Sequence, residues 1–235
     1  MALFVMRLDK FLADLKFGTR SEVKNLIKKG HVRIGDEIIK KADHKVDENT
    51  IVYVDNEPIQ YVQYEYFLLN KPAGYLSATE DFYQPVVMEL INSKRKDLAP
   101  VGRLDKDTEG VLLISNDGQL AHQLLSPKNH VEKKYYAKLD TPLPLNAIEL
   151  FSKPMEFQEF TSSPSKLEPI NATEAYLTIH EGKFHQVKRM FEKIGCTVTY
   201  LERVKFDILT LEGLERGESR PLTQAEIEQL KKANL

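Results

Sequence analysis

Val101-Gly102-Arg103-Leu104-Asp105-Lys106-Asp107-Thr108-Glu109-Gly110 places two aspartates and an arginine between two glycines, directly ahead of the apolar run from Val111 to Ile114. The run reads as a buried strand, so the chain must fold with a short charged loop pinned at that strand's mouth. A loop of this kind can hold a carboxylate at a cleft without burying it fully. Carboxylates held that way are candidates for nucleophile or base. Taken alone, the same residues are also ordinary turn chemistry, because Asp and Gly are standard turn formers. The segments around the loop decide between the two.

A chain of 235 residues, 42% apolar, suits one large or two small domains with a proper core. Net charge is only -2, but its distribution is uneven. Arg7, Lys10, Lys16, Arg20, Lys24, Lys28, Lys29 and Arg33 face only Asp9, Asp14 and Glu22 in the same stretch. Such a local excess can bind phosphate although the whole molecule is balanced. The single cysteine, Cys196, excludes an internal disulfide framework and fits a reducing compartment. Six scattered histidines without an i,i+4 pair argue against a zinc site, and no metal is expected. No apolar run approaches membrane-spanning length, so the reading is a soluble, cytoplasmic protein without a membrane partner.

Leu8, Phe11, Leu12 and Leu15 share one helical face. Thr19-Arg20-Ser21-Glu22 has capping-box spacing for a second helix lined by Val23, Leu26 and Ile27, which Lys28-Lys29-Gly30 should end. A hairpin around Gly35-Asp36 and a strand or two carrying Val46, Ile51, Val52 and Val54 complete a small module. Residues 6–55 are therefore expected to be one domain, 56–64 a polar linker, and 65–235 a second domain. In the second, strands are expected at Tyr66–Asn70, 111–115, Tyr135–Leu139, Leu177–His180, Thr197–Leu201 and Phe206–Leu211. Helices are expected at Val86–Ile91, up to Leu125, near 145–152, at His185–Ile194 and after the Thr223 cap. Strands and helices mix without a strict β-α-β rhythm, which predicts an α+β fold with a mixed, mainly antiparallel sheet rather than a doubly wound one. No internal repeat, phosphate-binding glycine loop or serine elbow is present.

The phrases Met6-Arg7-Leu8-Asp9-Lys10-Phe11-Leu12-Ala13, Thr19-Arg20-Ser21-Glu22-Val23 and Gly30-His31-Val32 resemble the RNA-binding domain named after small-subunit ribosomal protein S-four. That resemblance implies RNA contacts from Arg7, Lys10, Arg20, Lys24, Lys28 and Arg33. Because the family pattern usually begins near Met6, residues 1–5 are expected to be a leader or the product of an early start codon. Further along, Leu69-Asn70-Lys71-Pro72-Ala73-Gly74-Tyr75, the Asp105 loop, Glu132-Lys133-Lys134-Tyr135 and Glu181-Gly182-Lys183-Phe184-His185-Gln186-Val187-Lys188-Arg189-Met190 follow in order. Together they resemble the RsuA-type pseudouridine synthases over about residues 6 to 230.

The resemblance implies an enzyme that isomerises a uridine already in an RNA chain. The C1′–N1 bond breaks, the uracil turns over and a C1′–C5 bond forms, so no redox cofactor, nucleotide or metal is required. Asp105 matches the catalytic aspartate, which attacks the sugar or removes its 2′ proton. Lys188 would pair with it, Arg103 would help extrude the base or hold a phosphate, and Tyr135 would stack on the target uracil. Asp107 is left outside this set as a turn residue, and His185 is expected to be structural or to face RNA. The form of the fourth motif implies 16S ribosomal RNA as substrate, free or in an assembling small-subunit particle, with the protein as a monomer. A synthase acting on 23S rRNA and a non-catalytic ribosome-assembly factor are the competing readings.

Overall fold

A computed structural model describes residues 5–47, 50–59 and 63–233, and the chain divides into two compact units. The first comprises Met1–Glu65 with Ser93–Leu98, the second Tyr66–Asn92 with Ala99–Leu235.

In the first unit, β1 (Val5–Arg7) leads directly into α1 (Leu8–Asp14), which is followed by α2 (Arg20–Lys28). Thr19 caps α2 reciprocally: Glu22 N–H donates to Thr19 Oγ1 at 3.3 Å, and Thr19 N–H to Glu22 Oε2 at 2.6 Å. A cap of this kind stabilises a helix by about 1 kcal/mol. Gly30, at φ +87, takes the left-handed turn that lets the chain leave α2. Then come β2 (Val32–Ile34), β3 (Glu37–Ile38), β4 (Lys45–Asp47), β5 (Val52–Val54) and β6 (Glu57–Ile59). A four-stranded sheet runs β3-β2-β5-β6, while β1 pairs with β4. Leu8, Phe11, Leu12, Val23, Ile27, Val32, Val46 and Val52 form the core, so the helical stripes bury as their spacing requires.

One expectation is corrected here. Val5, at the edge of the expected domain, pairs with Asp47; residues 1–4 lie outside the described residues. The polar stretch 56–64 is not a linker throughout, because Glu57–Ile59 forms an edge strand in register with Val52–Val54. An edge position accommodates Pro58, whose missing N–H would break an inner ladder. Residues 60–62 of that stretch lie outside the described residues.

The second unit is built on β7 (Tyr66–Lys71), β8 (Ala99–Pro100), β9 (Glu109–Ser115), β10 (Lys133–Leu139), β11 (Lys166–Pro169), β12 (Glu174–Ile179), β13 (Val198–Phe206), β14 (Leu209–Thr210) and β15 (Ser219–Pro221). These join one sheet in the order β11-β12-β10-β13-β9-β7-β15, with β14 beside β13 and β8 beside β9. The β9–β13 pair is parallel and the other pairs are antiparallel. The α+β architecture with a mixed, mainly antiparallel sheet is as the residue pattern predicts. Helices α3 (Gly118–Leu125), α4 (Ala147–Phe151), α5 (Gln186–Lys193) and α6 (Gln224–Ala233) complete the unit, with a 3₁₀ turn at Val87–Leu90. Every residue of β7 is buried, as is β9 from Gly110 onward, so the central strands are covered on both faces. Two strands expected near 197–211 prove to be one nine-residue strand, β13, and its short return β14.

Candidate active site

The Asp105 loop is held chiefly by its backbone. Lys71, at the end of β7, is fully buried, and its Nζ donates to the carbonyls of Pro72 (3.0 Å), Lys106 (3.2 Å) and Thr108 (2.8 Å). Burial pulls its ammonium down to about 8, with the carboxylates of Asp107, Glu109 and Asp105 opposing. Ser77 Oγ donates to the carbonyl of Leu104 at 2.8 Å and accepts from its N–H at 3.0 Å. Gly74 N–H donates to Lys106 O at 2.8 Å, and Thr108 N–H to Asp105 O at 3.1 Å. Past the loop, Gly110 lies at φ +102 against β13, where a Cβ would meet Arg203 O at 2.2 Å. Only glycine allows β9 and β13 to approach this closely.

The carboxylate of Asp105 is 29% exposed and points to α5. Lys188 Nζ stands 3.2 Å from Asp105 Oδ2 and 2.7 Å from Asp107 Oδ1, bridging both carboxylates. Partial burial weakens the Lys188 ammonium, but the hydrogen bond to Asp107 and the charge of Asp105 outweigh it and raise its pKa. Burial likewise opposes the charge on Asp107, whose pKa is nonetheless held below the usual carboxylate value by Lys188. Asp107, a turn residue by its sequence, is thus the nearer partner of Lys188. His185 Nε2 lies 3.5 Å from Asp105 Oδ1, a closeness the residue pattern did not suggest.

The turn into α5 explains this placement. Gln186 is buried; its Nε2 donates to Glu181 Oε1 at 2.7 Å and its Oε1 accepts from Lys183 N–H at 3.0 Å. Glu181 also accepts from Ser163 N–H at 2.8 Å. His185 adopts φ +49 to start the helix, and its ring stacks on Phe184 with centroids 3.8 Å apart. One turn of α5 then brings Lys188 over the Asp105 loop.

Asp105, Arg103, Tyr135, His185, Lys133 and Arg203 all line a cavity of about 500 Å³. A smaller recess of about 70 Å³ shares Asp105, Arg103, Tyr135 and His185 and includes Lys188. The larger volume is within the range of roughly 300–1,000 Å³ usual for ligand sites. Tyr135 is buried in the cavity wall, whereas Arg103 is exposed and has no ion-pair partner among the described residues. The four residues singled out in this half of the chain therefore converge. Lys71, Lys133 and Arg203 were not singled out as site residues. Lys133 could have been found, since two residues before Tyr135 on a strand means the same face.

In the first unit the six basic residues divide. Arg7 donates to both carboxylate oxygens of buried Asp9, at 3.0 and 2.9 Å, and Lys10 pairs with Asp14 at 2.6 Å. Arg33 stacks over Tyr53 at 3.7 Å and donates to Gly35 O. Arg20, Lys24 and Lys28 are exposed along α2, with no ion-pair partner among the described residues.

Among the described residues no helix is long and apolar enough to cross a membrane. The RNA pseudouridylate synthase family model matches residues 65–193, and the S4 domain model residues 6–52. The chain is 43% identical over 231 residues to an uncharacterised RNA pseudouridine synthase of Bacillus subtilis, YtzG, covering 94% of this chain and 97% of that one. It is 38% identical to ribosomal small subunit pseudouridine synthase A of Haemophilus influenzae, covering 97% and 100%, and 38% identical to that of Escherichia coli K12, covering 94% and 98%. A crystal structure of a pseudouridylate synthase, 37% identical, superposes with a TM-score of 0.68 over 96% of this chain and 99% of that chain. The chain belongs to the RNA pseudouridine synthases of the small-subunit synthase A type, with an S4 domain ahead of the synthase domain.

Proposed function

We propose that this enzyme converts a specific uridine of 16S ribosomal RNA to pseudouridine, with Asp105 as its catalytic carboxylate. The observation that carries the reading is Lys188 Nζ at 3.2 Å from Asp105, at a cavity walled by Tyr135 and large enough for an extruded nucleotide. The neighbouring ammonium favours the ionised carboxylate that both attack at C1′ and removal of the 2′ proton require. Lys188 acts as a point charge rather than a bidentate clamp, which leaves room for Asp107 on the same ammonium. Tyr135 offers its ring to the flipped uracil, and exposed Arg103 stands at the mouth for a phosphate or the vacated stack. The C1′–N1 bond breaks, the held uracil rotates, C5 bonds to C1′, and the proton lost from C5 is balanced by one gained at N1. Arg20, Lys24 and Lys28 of the S4 domain supply phosphate contacts from one helix face.

Support for the small subunit comes from the relatives named for it, which align with nearly the whole chain. The protein would act as a cytoplasmic monomer on free rRNA or on an assembling small-subunit particle. The test is to map pseudouridines in rRNA from cells with and without the gene, then to repeat the reaction in vitro with Asp105→Asn. The expected result is loss of one 16S position, restored by the parent protein and not by the variant, which still binds RNA. A missing 23S position, or full turnover by Asp105→Asn, would overturn the reading.

A further inference from the structure

Beside Tyr135, the wall of the large cavity contains two basic side chains that have no part in the proposed isomerisation so far, Lys133 and Arg203. Lys133 and Tyr135 point to the same face of β10, and β13 sets Arg203 opposite Tyr135 and Phe206 opposite Lys133. The register slips between Lys134 and Tyr135, so a bulge at residue 204 keeps Arg203 and Phe206 on one face. Both cations lie against Phe206, Lys133 Nζ 5.7 Å and Arg203 Cζ 4.7 Å from its ring centre. Lys133 is 5% exposed and Arg203 2%.

Neither is in an ion pair among the described residues. Lys133 Nζ donates to Val131 O at 3.1 Å, and Arg203 Nε to Val111 O at 2.8 Å. Arg203 Nη2 is buried without any hydrogen-bond partner. The charged groups that act on Lys133 are Arg203, which disfavours its charge, and Asp207 and Glu181, which favour it; burial dominates and brings its pKa down to about 8. Two buried cations without an ion-paired carboxylate destabilise a fold, and a buried donor left unmade costs more than an average hydrogen bond gains. A ligand oxygen arriving in the cavity would relieve both.

We propose that Arg203 and Lys133 form a donor-only floor that holds a carbonyl oxygen of the flipped uracil and stabilises the negative charge the base acquires when its glycosidic bond breaks. The inference rests on the uridine-isomerising reading. Both side chains stand beside the ring that stacks on the base, which favours a base oxygen over a phosphate as the occupant. Lysine and arginine only donate, so the floor accepts either uracil oxygen, O2 or O4, and where it faces the O4 edge it opposes cytosine, whose N4 amino group there is itself a donor. Donors prepositioned in a dry site need no reorganisation when charge develops, and one such donor is typically worth about 10²–10³ in kcat.

The test uses Lys133→Met and Arg203→Lys, the second keeping a cation but losing Nη2, with folding checked by circular dichroism. Steady-state kcat and KM for conversion are measured on 16S rRNA fragments carrying uridine, 2-thiouridine or 4-thiouridine at the mapped position, sulfur being the weaker acceptor. The expected result is a fall of about 10²-fold in kcat with KM nearly unchanged. The penalty that one thio substitution imposes on the parent enzyme should also largely vanish in the variants. Folded variants with parental kcat, or with equal losses on all three RNAs, would overturn the inference. So would a loss confined to KM and reproduced in the parent by a methylphosphonate 5′ to the target, which would assign the floor to a phosphate. A parent enzyme inactive on every rRNA would remove the uridine reading itself, and this inference with it. An active parent with indifferent variants would remove only the floor.

Discussion

Gly110→Ala perturbs one methyl group at the point where β9, β7 and β13 meet. Gly110 pairs with Arg203 on one side and with Lys71 on the other. An added Cβ would lie 2.2 Å from Arg203 O and 2.9 Å from Arg203 N and C, all backbone atoms of a strand inside the sheet. No side chain can swing aside, so β9 must move by about 1 Å, as overpacking of a close-packed interior demands. The left-handed φ of +102 costs a residue with a Cβ a further 1–2 kcal/mol or so. With roughly 1–3 kcal/mol for overpacking, the expected destabilisation is about 2–5 kcal/mol. The same shift would carry the Asp105 loop with it, and a misplacement of about 1 Å at a reacting group is worth up to about 10²-fold in rate. Urea unfolding followed by circular dichroism suits a chain that contains no tryptophan, with kcat measured at a temperature where the variant stays folded. Gly118→Ala is the control, since that glycine opens α3, has no atom within 4 Å of its added Cβ, and should gain up to about 1 kcal/mol. A Gly110→Ala midpoint indistinguishable from the parent would refute the close-approach reasoning.

Other expectations follow from individual contacts. Lys71 has a folded pKa near 8 against 10.5 unfolded, so the stability it contributes is complete above pH 10.5 and is lost as pH falls through 8. Urea titrations at pH 7 and 10 should therefore show a rise, at most about 3 kcal/mol, that Lys71→Met lacks; parallel curves for the two proteins would count against it. Glu226 is held at about 2, chiefly by its hydrogen bonds from Arg220 and against its burial, so its contribution is present above pH 4.5 and is lost as pH falls through 2. After screening at this partly exposed pair, Glu226→Gln should cost about 1 kcal/mol at pH 6 and less at pH 3, read from thermal melts. Arg20→Ala with Lys24→Ala should flatten the salt dependence of RNA binding by about 1.5 in the logarithmic slope, with stability unchanged. Arg7→Ala should act differently, lowering stability by leaving buried Asp9 without its partner, and equal stability of the two variants would contradict this division.

What could be read from the residues, and what could not, follows from how each element meets solvent. Helices α1 and α2 were legible because each buries one stripe, and the Thr19 box marks a start in any context. β7 and β9 were legible because strands covered on both faces are apolar almost throughout. β15 was not, since all three of its residues are polar or proline and none is buried, and β11 buries only Leu167. β13 was cut short in the reading because Glu202, Arg203 and Lys205 interrupt its apolar pattern. Yet Arg203 is among the most buried charged residues described, and alternation alone cannot tell a charge facing water from one facing a cavity. The site shows the same limit. Asp105, Tyr135 and Lys188 draw their roles from recognisable phrases, whereas Asp107 and His185 stand in the same phrases without one, and their contacts appear only once the turn at Glu181 and Gln186 sets α5 over the loop.

Lys71 shows why the buried charges under this site are lysine and arginine in different places. Its three carbonyl partners come from three separate residues, Pro72, Lys106 and Thr108. An ammonium presents three donors around one atom and can gather acceptors arriving from different directions, which a planar guanidinium cannot do from the same point. Fixing the carbonyls of Lys106 and Thr108 in this way immobilises the loop without occupying the carboxylate of Asp105. That carboxylate stays 29% exposed, turned toward Lys188 on one side and the cavity on the other. A loop tied down through its side chains would have spent the group the reaction needs. Held through its backbone, it presents that group in one orientation to whatever enters.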